Sequence, residues 1–157
     1  MSLRVGFGVD AHALQEGVPL VLGGVRIDYP RGLAGHSDGD VLAHALVDAL
    51  LGGAGLGDIG SLFPPGDERF RGADSVGLLR EAYRRVRAAG WSLVNADCVL
   101  VGEEPKIATR RDEMRSRLSG AVDGGDVNVR ATTTDGLGFT GRGEGLAAYA
   151  VALLERR

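Results

Sequence analysis

The most strongly patterned stretch of the sequence is residues 37–53, which read SDGDVLAHALVDALLGG. Residues 41–51 are almost entirely apolar, as expected of a buried element. Ser37 stands three residues before the carboxylate of Asp40, a spacing typical of helix starts, and the Gly-Gly pair at 52–53 is a stop signal. The stretch therefore predicts a helix over residues 41–51, with His44 one helical turn beyond Asp40.

Strand and helix patterns alternate on either side of this helix. The predicted elements are strands over residues 3–9, 91–103 and 127–134, a hairpin over 20–29, and helices over 74–89 and from Pro105 to about residue 120. Residues 55–71, rich in glycine, proline and aspartate, predict a mobile flap. The tail 146–154 fits either a helix or a strand buried on both faces. This order predicts one α/β domain over residues 1–157, with a functional turn after the first strand.

The composition is that of an ordinary globular protein. Hydrophobic residues make up 44% of the 157 positions, charged residues 25%, and the formal charge is −3, unlike disordered or membrane chains. Basic residues are dispersed, so we expect neither nucleic acid nor a membrane as a partner. Without a targeting segment and with Cys98 as the one cysteine, we expect a cytoplasmic protein with a buried free thiol. The 26 glycines indicate tight turns and close backbone approaches.

A metal site is suggested by the histidines, all three of which lie in the first third of the sequence near an aspartate. In Asp10-Ala11-His12, extended backbone would point both polar side chains to one face. With His44 they form a nitrogen and oxygen donor set without thiolate, which suits a catalytic zinc that keeps one open position. The alternatives are that His44 is an ordinary helix residue and that Asp10 only caps a turn.

An anion site is suggested by His36 and Ser37, which precede the predicted helix over residues 41–51. Backbone N–H groups and the helix dipole favour an anion at such a position. The pattern therefore predicts that a phosphate binds at His36 and Ser37. Alternatively, Ser37 and Asp38 only cap the helix.

A second polar cluster lies near the end of the sequence. It combines Thr132, Thr133, Thr134 and Asp135 with Arg142, between glycines. Such groups can hold phosphate oxygens and a divalent cation, although threonine runs are also common in strands. Because neither a complete dinucleotide fingerprint nor a Walker-type loop occurs, neither of those nucleotide-binding classes is predicted.

Four segments together resemble one known family. They are GFGVDAH (6–12), HSDGDVLAH (36–44), DIG (58–60) and ATTTDGLGFTGRGEG (131–145). In this order they closely resemble the 2-C-methyl-D-erythritol 2,4-cyclodiphosphate synthase family over nearly the whole chain. The resemblance implies an α/β fold with a mixed four-stranded sheet and helices on one face. It also implies a homotrimer whose sheets meet around the threefold axis, with the tail 146–154 as a strand.

The resemblance further implies an activity and a ligand set. The substrate would be 4-diphosphocytidyl-2-C-methyl-D-erythritol 2-phosphate, converted between neighbouring subunits into 2-C-methyl-D-erythritol 2,4-cyclodiphosphate and CMP. Asp10, His12 and His44 would bind zinc, and Asp135 a second divalent cation, magnesium or manganese. Asp40 would orient a phosphate-binding group.

The implied site residues fall into two groups. The groups acting on the transition state would be His36 and Thr133. The implied substrate contacts are Asp10, His12, His36, Ser37, Asp58, Ile59, Gly60, Phe63, Asp67, Pro105, Lys106, Ile107, Thr132, Thr133, Thr134, Asp135, Phe139 and Arg142. Among these, the segment from Pro105 resembles the cytidine pocket of the family.

Three positions depart from the family pattern. Asp135 stands where many relatives carry glutamate, so its direct contact with the second cation is in question. Pro65 replaces an acidic residue of some relatives, which leaves Asp67 as the nearest carboxylate of the flap. The Glu-Glu pair at 103–104 would either form an ion pair with Lys106 or stay solvated.

Two other functions remain open on the sequence alone. One is a non-catalytic trimeric module that binds nucleotides or isoprenoid diphosphates, although a binding relic would be expected to lose metal ligands. The other is a zinc hydrolase using metal-bound water, although no separate carboxylate stands out as its general base.

Overall fold

The structure, a computed structural model, describes residues 1–156 of the chain. The strands are β1 (Ser2–Glu16), β2 (Leu20–Leu22), β3 (Val25–Ile27), β4 (Arg31–Leu33), β5 (Ser92–Val101), β6 (Val127–Thr132) and β7 (Gly145–Arg156). The helices are α1 (Val41–Ala54), α2 (Ile59–Leu62), α3 (Ser75–Ala88), α4 (Arg111–Ala121) and α5 (Gly138–Gly141), with 3-10 turns at Glu68–Phe70 and Ala108–Arg110.

The main sheet has the strand order β4-β1-β7-β5-β6. Strands β5 and β6 are parallel while the other neighbours are antiparallel, so the sheet is mixed. The tail forms β7 at its centre, paired with β1 on one side and β5 on the other. The predicted α/β class is therefore confirmed, and the tail is a strand. To the four long strands the structure adds the short edge strand β4, and the predicted hairpin over 20–29 is β2 and β3.

Helix α1 lies unusually close to the sheet, because β1 carries glycine where the helix crosses it. A Cβ atom added to Gly6 would come within 1.8 Å of the Ala49 carbonyl oxygen, and one on Gly8 within 1.9 Å of that of Ala45. Only glycine permits this approach. The core behind it is built from buried alanine, leucine and valine of α1, α3, α4 and the helix-facing side of the sheet.

Across β1 and β7, the opposite face of the sheet is apolar and open. Six side chains on this face are between 42% and 69% exposed, namely Leu3, Val5, Phe7, Val9, Tyr149 and Val151. They alternate along β1 and β7 with the buried residues, and the rings of Phe7 and Tyr149 stack with centroids 6.1 Å apart. We refer to these six residues as the exposed sheet face. A patch of this kind is typical of an interaction surface.

Three element boundaries differ from the prediction. β1 runs to Glu16 without the expected turn, because its pairing with β7 continues to Ala13 and with β4 beyond it. Helix α1 begins at Val41 as predicted, but its cap is Asp40 rather than Ser37, and it continues through the Gly-Gly pair to Ala54, after which Gly55 adopts a left-handed φ of 72°. The third long helix begins at Arg111 rather than Pro105, since residues 105–110 form a loop and a 3-10 turn.

Other predictions about single elements are confirmed. Helix α3 begins after its cap Asp74, as predicted. The Cys98 thiol is free and fully buried, and burial raises its pKa to about 12. Residues 55–71 contain α2 and one 3-10 turn, and their mobility stays a prediction. Within residues 1–156, no helix combines the length and the apolar character needed to cross a membrane.

Candidate metal and substrate site

Asp10, His12 and His44 meet where β1 passes the N-terminal turn of helix α1. Asp10 and His12 project from the same side of β1 as Gly6 and Gly8, and His44 lies on the first turn of α1. One ligand atom from each of the three lies within 4.8 Å of the others. The Asp10 Oδ2 atom is 3.1 Å from His12 Nε2 and 3.0 Å from His44 Nδ1. The predicted metal ligands are thus brought together.

The donor atoms of this cluster fit a cation. His12 Nε2 is buried and has no hydrogen-bond partner, in spite of its closeness to the Asp10 carboxylate. A buried polar nitrogen without a partner is unfavourable, and a metal ion would satisfy it. Burial opposes the ionisation of Asp10, but the adjacent His12 and His44 rings lower its pKa to about 2. The neighbouring Asp10 carboxylate in turn raises the pKa of His12. Asp10 is therefore an ionised carboxylate at neutral pH.

A pocket of about 240 Å³ opens beside these three residues. Its lining comes from the cluster, from the segment before α1, and from residues 59–70 of the predicted flap together with Leu78: Asp10, His12, His36, Ser37, His44, Ile59, Gly60, Phe63, Pro65, Phe70 and Leu78. We call it the metal pocket. Ile59, Gly60 and Phe63 all line this pocket. From the sequence, these three substrate contacts followed only from the family resemblance.

Two predicted aspartates of the flap serve the loop itself. Asp58 is exposed and caps α2, where it forms a capping box with Ser61. The Asp67 carboxylate caps the 3-10 turn and pairs with Arg69 at 2.8 Å. The backbone carbonyl of Asp67, however, is 2.8 Å from His36 Nε2. Because a carbonyl only accepts, His36 donates from Nε2 and its Nδ1 remains available to the pocket.

Asp40 anchors the helix that carries His44. It is fully buried, and its carboxylate accepts from the backbone N–H groups of Gly23 (2.9 Å), Gly24 (2.7 Å) and Ala43 (3.1 Å). Burial raises its pKa to about 6. Asp40 thus joins the β2–β3 hairpin to the start of α1 as a structural anchor, and its expected role in orienting a phosphate-binding group stays a prediction.

A second pocket of about 210 Å³ lies at the carboxyl ends of β5 and β6, across β7 from Asp10 and His12. Its lining combines the loop after β5 with the end of β6: Leu100, Gly102, Pro105, Lys106, Ile107, Ala108, Arg111, Ala131, Thr132, Thr133 and Leu146. We call it the threonine pocket. The predicted residues Pro105, Lys106 and Ile107 therefore share a pocket with Thr132 and Thr133, and none of them lines the metal pocket.

In the turn after β6, Asp135 is exposed to the solvent and Thr133 is partly buried. The Thr133 hydroxyl donates to Asp135 Oδ1 at 3.3 Å, and Asp135 has a left-handed φ of 53°. The Thr134 hydroxyl instead donates to the Leu137 carbonyl at 2.7 Å, so it holds the turn together. Phe139 is exposed beyond this turn, and Arg142 pairs with Glu144 at 3.0 Å.

One carboxylate that supports this turn was not predicted. Glu103 Oε1 accepts from the Gly136 N–H at 2.7 Å, which ties the loop after β5 to the Thr133–Asp135 turn. Lys106 Nζ donates to the Glu103 backbone carbonyl at 2.9 Å. The question of an ion pair or a solvated pair at 103–104 is therefore answered differently: the Glu103 carboxylate is a backbone anchor.

Known proteins resemble this chain along nearly its whole length. The family model of the YgbB family matches residues 3–155. A 2-C-methyl-D-erythritol 2,4-cyclodiphosphate synthase of Moorella thermoacetica is 59% identical over 154 residues, which are 97% of this chain and 94% of that protein.

Solved structures share the fold. The bifunctional IspDF from Campylobacter jejuni superposes with a TM-score of 0.94 at 45% identity, covering 99% of this chain, which spans 43% of that longer protein. A 2C-methyl-D-erythritol-2,4-cyclodiphosphate synthase in its CDP-bound form superposes with a TM-score of 0.87 at 43% identity. The match covers 97% of this chain and 100% of that one.

Proposed function

The chain belongs to the YgbB family, and from that premise we propose how its two pockets share one reaction. Its activity is that of a phosphorus–oxygen lyase, which converts 4-diphosphocytidyl-2-C-methyl-D-erythritol 2-phosphate into 2-C-methyl-D-erythritol 2,4-cyclodiphosphate and CMP in non-mevalonate isoprenoid biosynthesis. The observation that carries this function is the convergence of Asp10, His12 and His44 in a chain so similar to these synthases.

The metal pocket would hold zinc through Asp10 Oδ2, His12 Nε2 and His44 Nδ1. This donor set of two imidazoles and one carboxylate is typical of catalytic zinc, which keeps a fourth position for substrate. Bound there, zinc supplies Lewis-acid polarisation of a diphosphate oxygen. The partnerless His12 Nε2 supports the assignment, because it lies next to the ionised Asp10 carboxylate without a hydrogen bond.

The remaining residues act by positioning. The attacking group is an oxygen of the substrate's own 2-phosphate, ionised at neutral pH, so no strong protein base is required. It bonds to the phosphorus next to the methylerythritol oxygen, and CMP leaves with the electron pair of the broken P–O bond. His36 and Ser37 would hold the 2-phosphate end, with His36 oriented through its 2.8 Å contact with the Asp67 carbonyl.

The threonine pocket would bind the cytidine and the diphosphate. Pro105, Lys106 and Ile107 form its wall, and Thr133 stands at its mouth with a hydroxyl able to donate to a phosphate oxygen. Phosphoryl transfer proceeds with charge spread over the phosphate oxygens, so donors of this kind stabilise the transition state. The solved structure of a relative with the same fold is a CDP-bound form, which supports a cytidine diphosphate as the ligand.

A second cation, magnesium or manganese, would bind at Asp135. Magnesium typically takes one or two carboxylates and completes its octahedron with water and substrate phosphates. Asp135 is exposed beside Thr133 and can offer that carboxylate. An Asp135→Ala variant should respond less to added magnesium while its zinc content is unchanged; an unaltered magnesium response would remove Asp135 from the cation site.

We infer that the protein is a homotrimer in which the metal pocket of one subunit faces the threonine pocket of the next. Two observations support this: the pockets share no lining residue, and the exposed sheet face needs a cover. Mixing His44→Ala and Thr133→Ala subunits under exchange tests it. In randomly mixed trimers about a quarter of the sites would join two intact halves. Activity near zero in the mixture would contradict shared sites.

The reaction itself is tested by incubating the protein with 4-diphosphocytidyl-2-C-methyl-D-erythritol 2-phosphate, first after zinc has been removed and then after zinc has been restored. Metal-dependent release of CMP together with the cyclic diphosphate supports the synthase. Absence of turnover would favour the binding module, and a linear monophosphate product would favour the zinc hydrolase. We also place the protein in the cytoplasm, where its single buried thiol needs no disulfide partner.

A further inference from the structure

Behind His44, on the side away from Asp10, lie Ser75 and Asp38, two polar groups that the reaction above does not use. Ser75, the first residue of α3, is fully buried, and its Oγ is 2.7 Å from His44 Nε2. The same hydroxyl makes a short hydrogen bond to Asp38 Oδ1. Ser37 Oγ lies farther from the ring nitrogen, at 3.0 Å. His44 is thus held from behind by two hydroxyls.

The direction of these hydrogen bonds follows from counting protons. Asp38 Oδ2 accepts the Ser75 N–H at 3.0 Å, and Oδ1 accepts the Asp40 N–H at 3.1 Å, so both oxygens of this carboxylate act as acceptors. The single hydroxyl proton of Ser75 is therefore donated to Asp38. Its Oγ can then only accept from His44, which places the imidazole proton on Nε2.

We infer that Ser75 and Asp38 are positioning residues for the metal centre, which hold His44 through its Nε2–H group and turn its Nδ1 toward Asp10 and the metal position. The inference rests on the proposed zinc site. Without a proton on Nε2, the lone pair of that nitrogen would face the Ser75 oxygen at 2.7 Å. Partners of this kind behind a ligating histidine set its tautomer and ring orientation.

The arrangement also connects the metal centre to the flap. Residues 72–74 connect the flap to Ser75. Two backbone hydrogen bonds join this connection to the segment before α1, one from the Gly72 N–H to the His36 carbonyl (2.8 Å) and one from the Asp38 N–H to the Ala73 carbonyl (3.2 Å). A shift of the flap therefore acts on the residue that orients His44.

Zinc binding to Ser75→Ala and Ser119→Ala tests the inference, measured by competition with a chromophoric chelator. Ser119, in the last turn of α4, is the matched control, because its hydroxyl donates to the Gly125 carbonyl in the loop after that helix and not to the metal site. Ser75→Ala should bind zinc about 10–100-fold more weakly than the wild type, and Ser119→Ala should bind it equally well. Equal affinity in both variants would overturn the role of Ser75.

The Nε2 proton of His44 is observed directly by ¹⁵N NMR of the histidine side chains in the metal-free protein. Wild-type His44 should carry a proton on Nε2, whereas in Asp38→Asn, whose amide can donate to Ser75, that proton should be partly lost. A wild-type Nε2 without a proton would overturn the inference even if the Ser75 variant failed to fold. Because this readout needs no zinc, its failure is distinct from that of the zinc site, which His44→Ala tests separately.

Discussion

The metal pocket and the threonine pocket are built in opposite ways. Around the metal pocket, Asp10, His44 and Ser75 are at least partly buried and contact one another across three elements of the same chain. At the threonine pocket, Thr132 and Asp135 are exposed, and Asp135 has its closest side-chain partner only two residues away. One half is thus fully organised by its own subunit, while the other presents its groups outward, as expected where a neighbour completes the site.

The largest effect that tests this difference is the loss of the metal. His44→Ala removes one of three ligands from the metal pocket, and the metal contributes several kcal/mol to the transition state, so CMP release should fall by about 1000-fold or more. Zinc content, measured by atomic absorption on the purified protein, should fall with it while the circular dichroism spectrum is retained.

His36→Ala is the matched control for this variant, since it removes another histidine of the same pocket that is outside the ligand set. It should keep its zinc while it loses activity. If both variants retained the metal, the ligand assignment would be wrong; if both lost it, the metal pocket would be less selectively organised than its geometry indicates.

A smaller effect tests whether the metal pocket is held by the chain's own core. Asp40→Asn replaces a buried carboxylate that accepts three backbone N–H groups. An amide NH₂ would face at least one of those donors, so the free energy of unfolding should fall by about 2 kcal/mol. For a chain of this length the melting temperature should fall by about 4–8 °C.

Asp74→Asn provides the comparison, because it makes the same change at the cap of α3, where the aspartate is exposed and accepts one N–H. Asparagine caps helices as well as aspartate does, so its melting temperature should stay near that of the wild type. Equal losses in the two variants would show that Asp40 is an ordinary cap rather than the anchor of the hairpin and α1.

The sequence predicted the part of the metal pocket that depends on short-range spacing. Asp10 and His12 share a face because strand side chains alternate. His44 was added through its residue type and the family resemblance, because it meets Asp10 from 34 residues away. Ser75 could not be found in this way, because it meets His44 from 31 residues away through the packing of α3 on α1. Its neighbour Asp74 signals only a helix start.

Dependence on tertiary contacts also explains why sequence patterns indicated the wrong cap for α1 and left the tail unassigned. Ser37 matched a capping pattern, but the cap is Asp40, whose carboxylate is also required by a hairpin 17 residues earlier in the chain. The tail could not be assigned by periodicity, since a strand paired on both sides is as continuously apolar as a buried helix. In both cases tertiary contacts decided between local alternatives.

The smallest expected effect concerns the anchor of the threonine pocket. Glu103 holds the Gly136 N–H at 2.7 Å, and it is the long-range contact that fixes the turn bearing Thr133 and Asp135. Glu103→Ala should loosen that turn without touching the metal, so kcat/KM should fall about fivefold, in keeping with the roughly 1 kcal/mol of one partly exposed hydrogen bond. Amide exchange at Gly136 should become faster in the same variant.

Glu104→Ala, at the exposed neighbouring position, should leave both kcat/KM and the amide exchange at Gly136 unchanged. If the two variants behaved alike, the turn would be held by its own short-range contacts or by a neighbouring subunit, and the contrast between a self-organised and an outward-facing pocket would be sharper still.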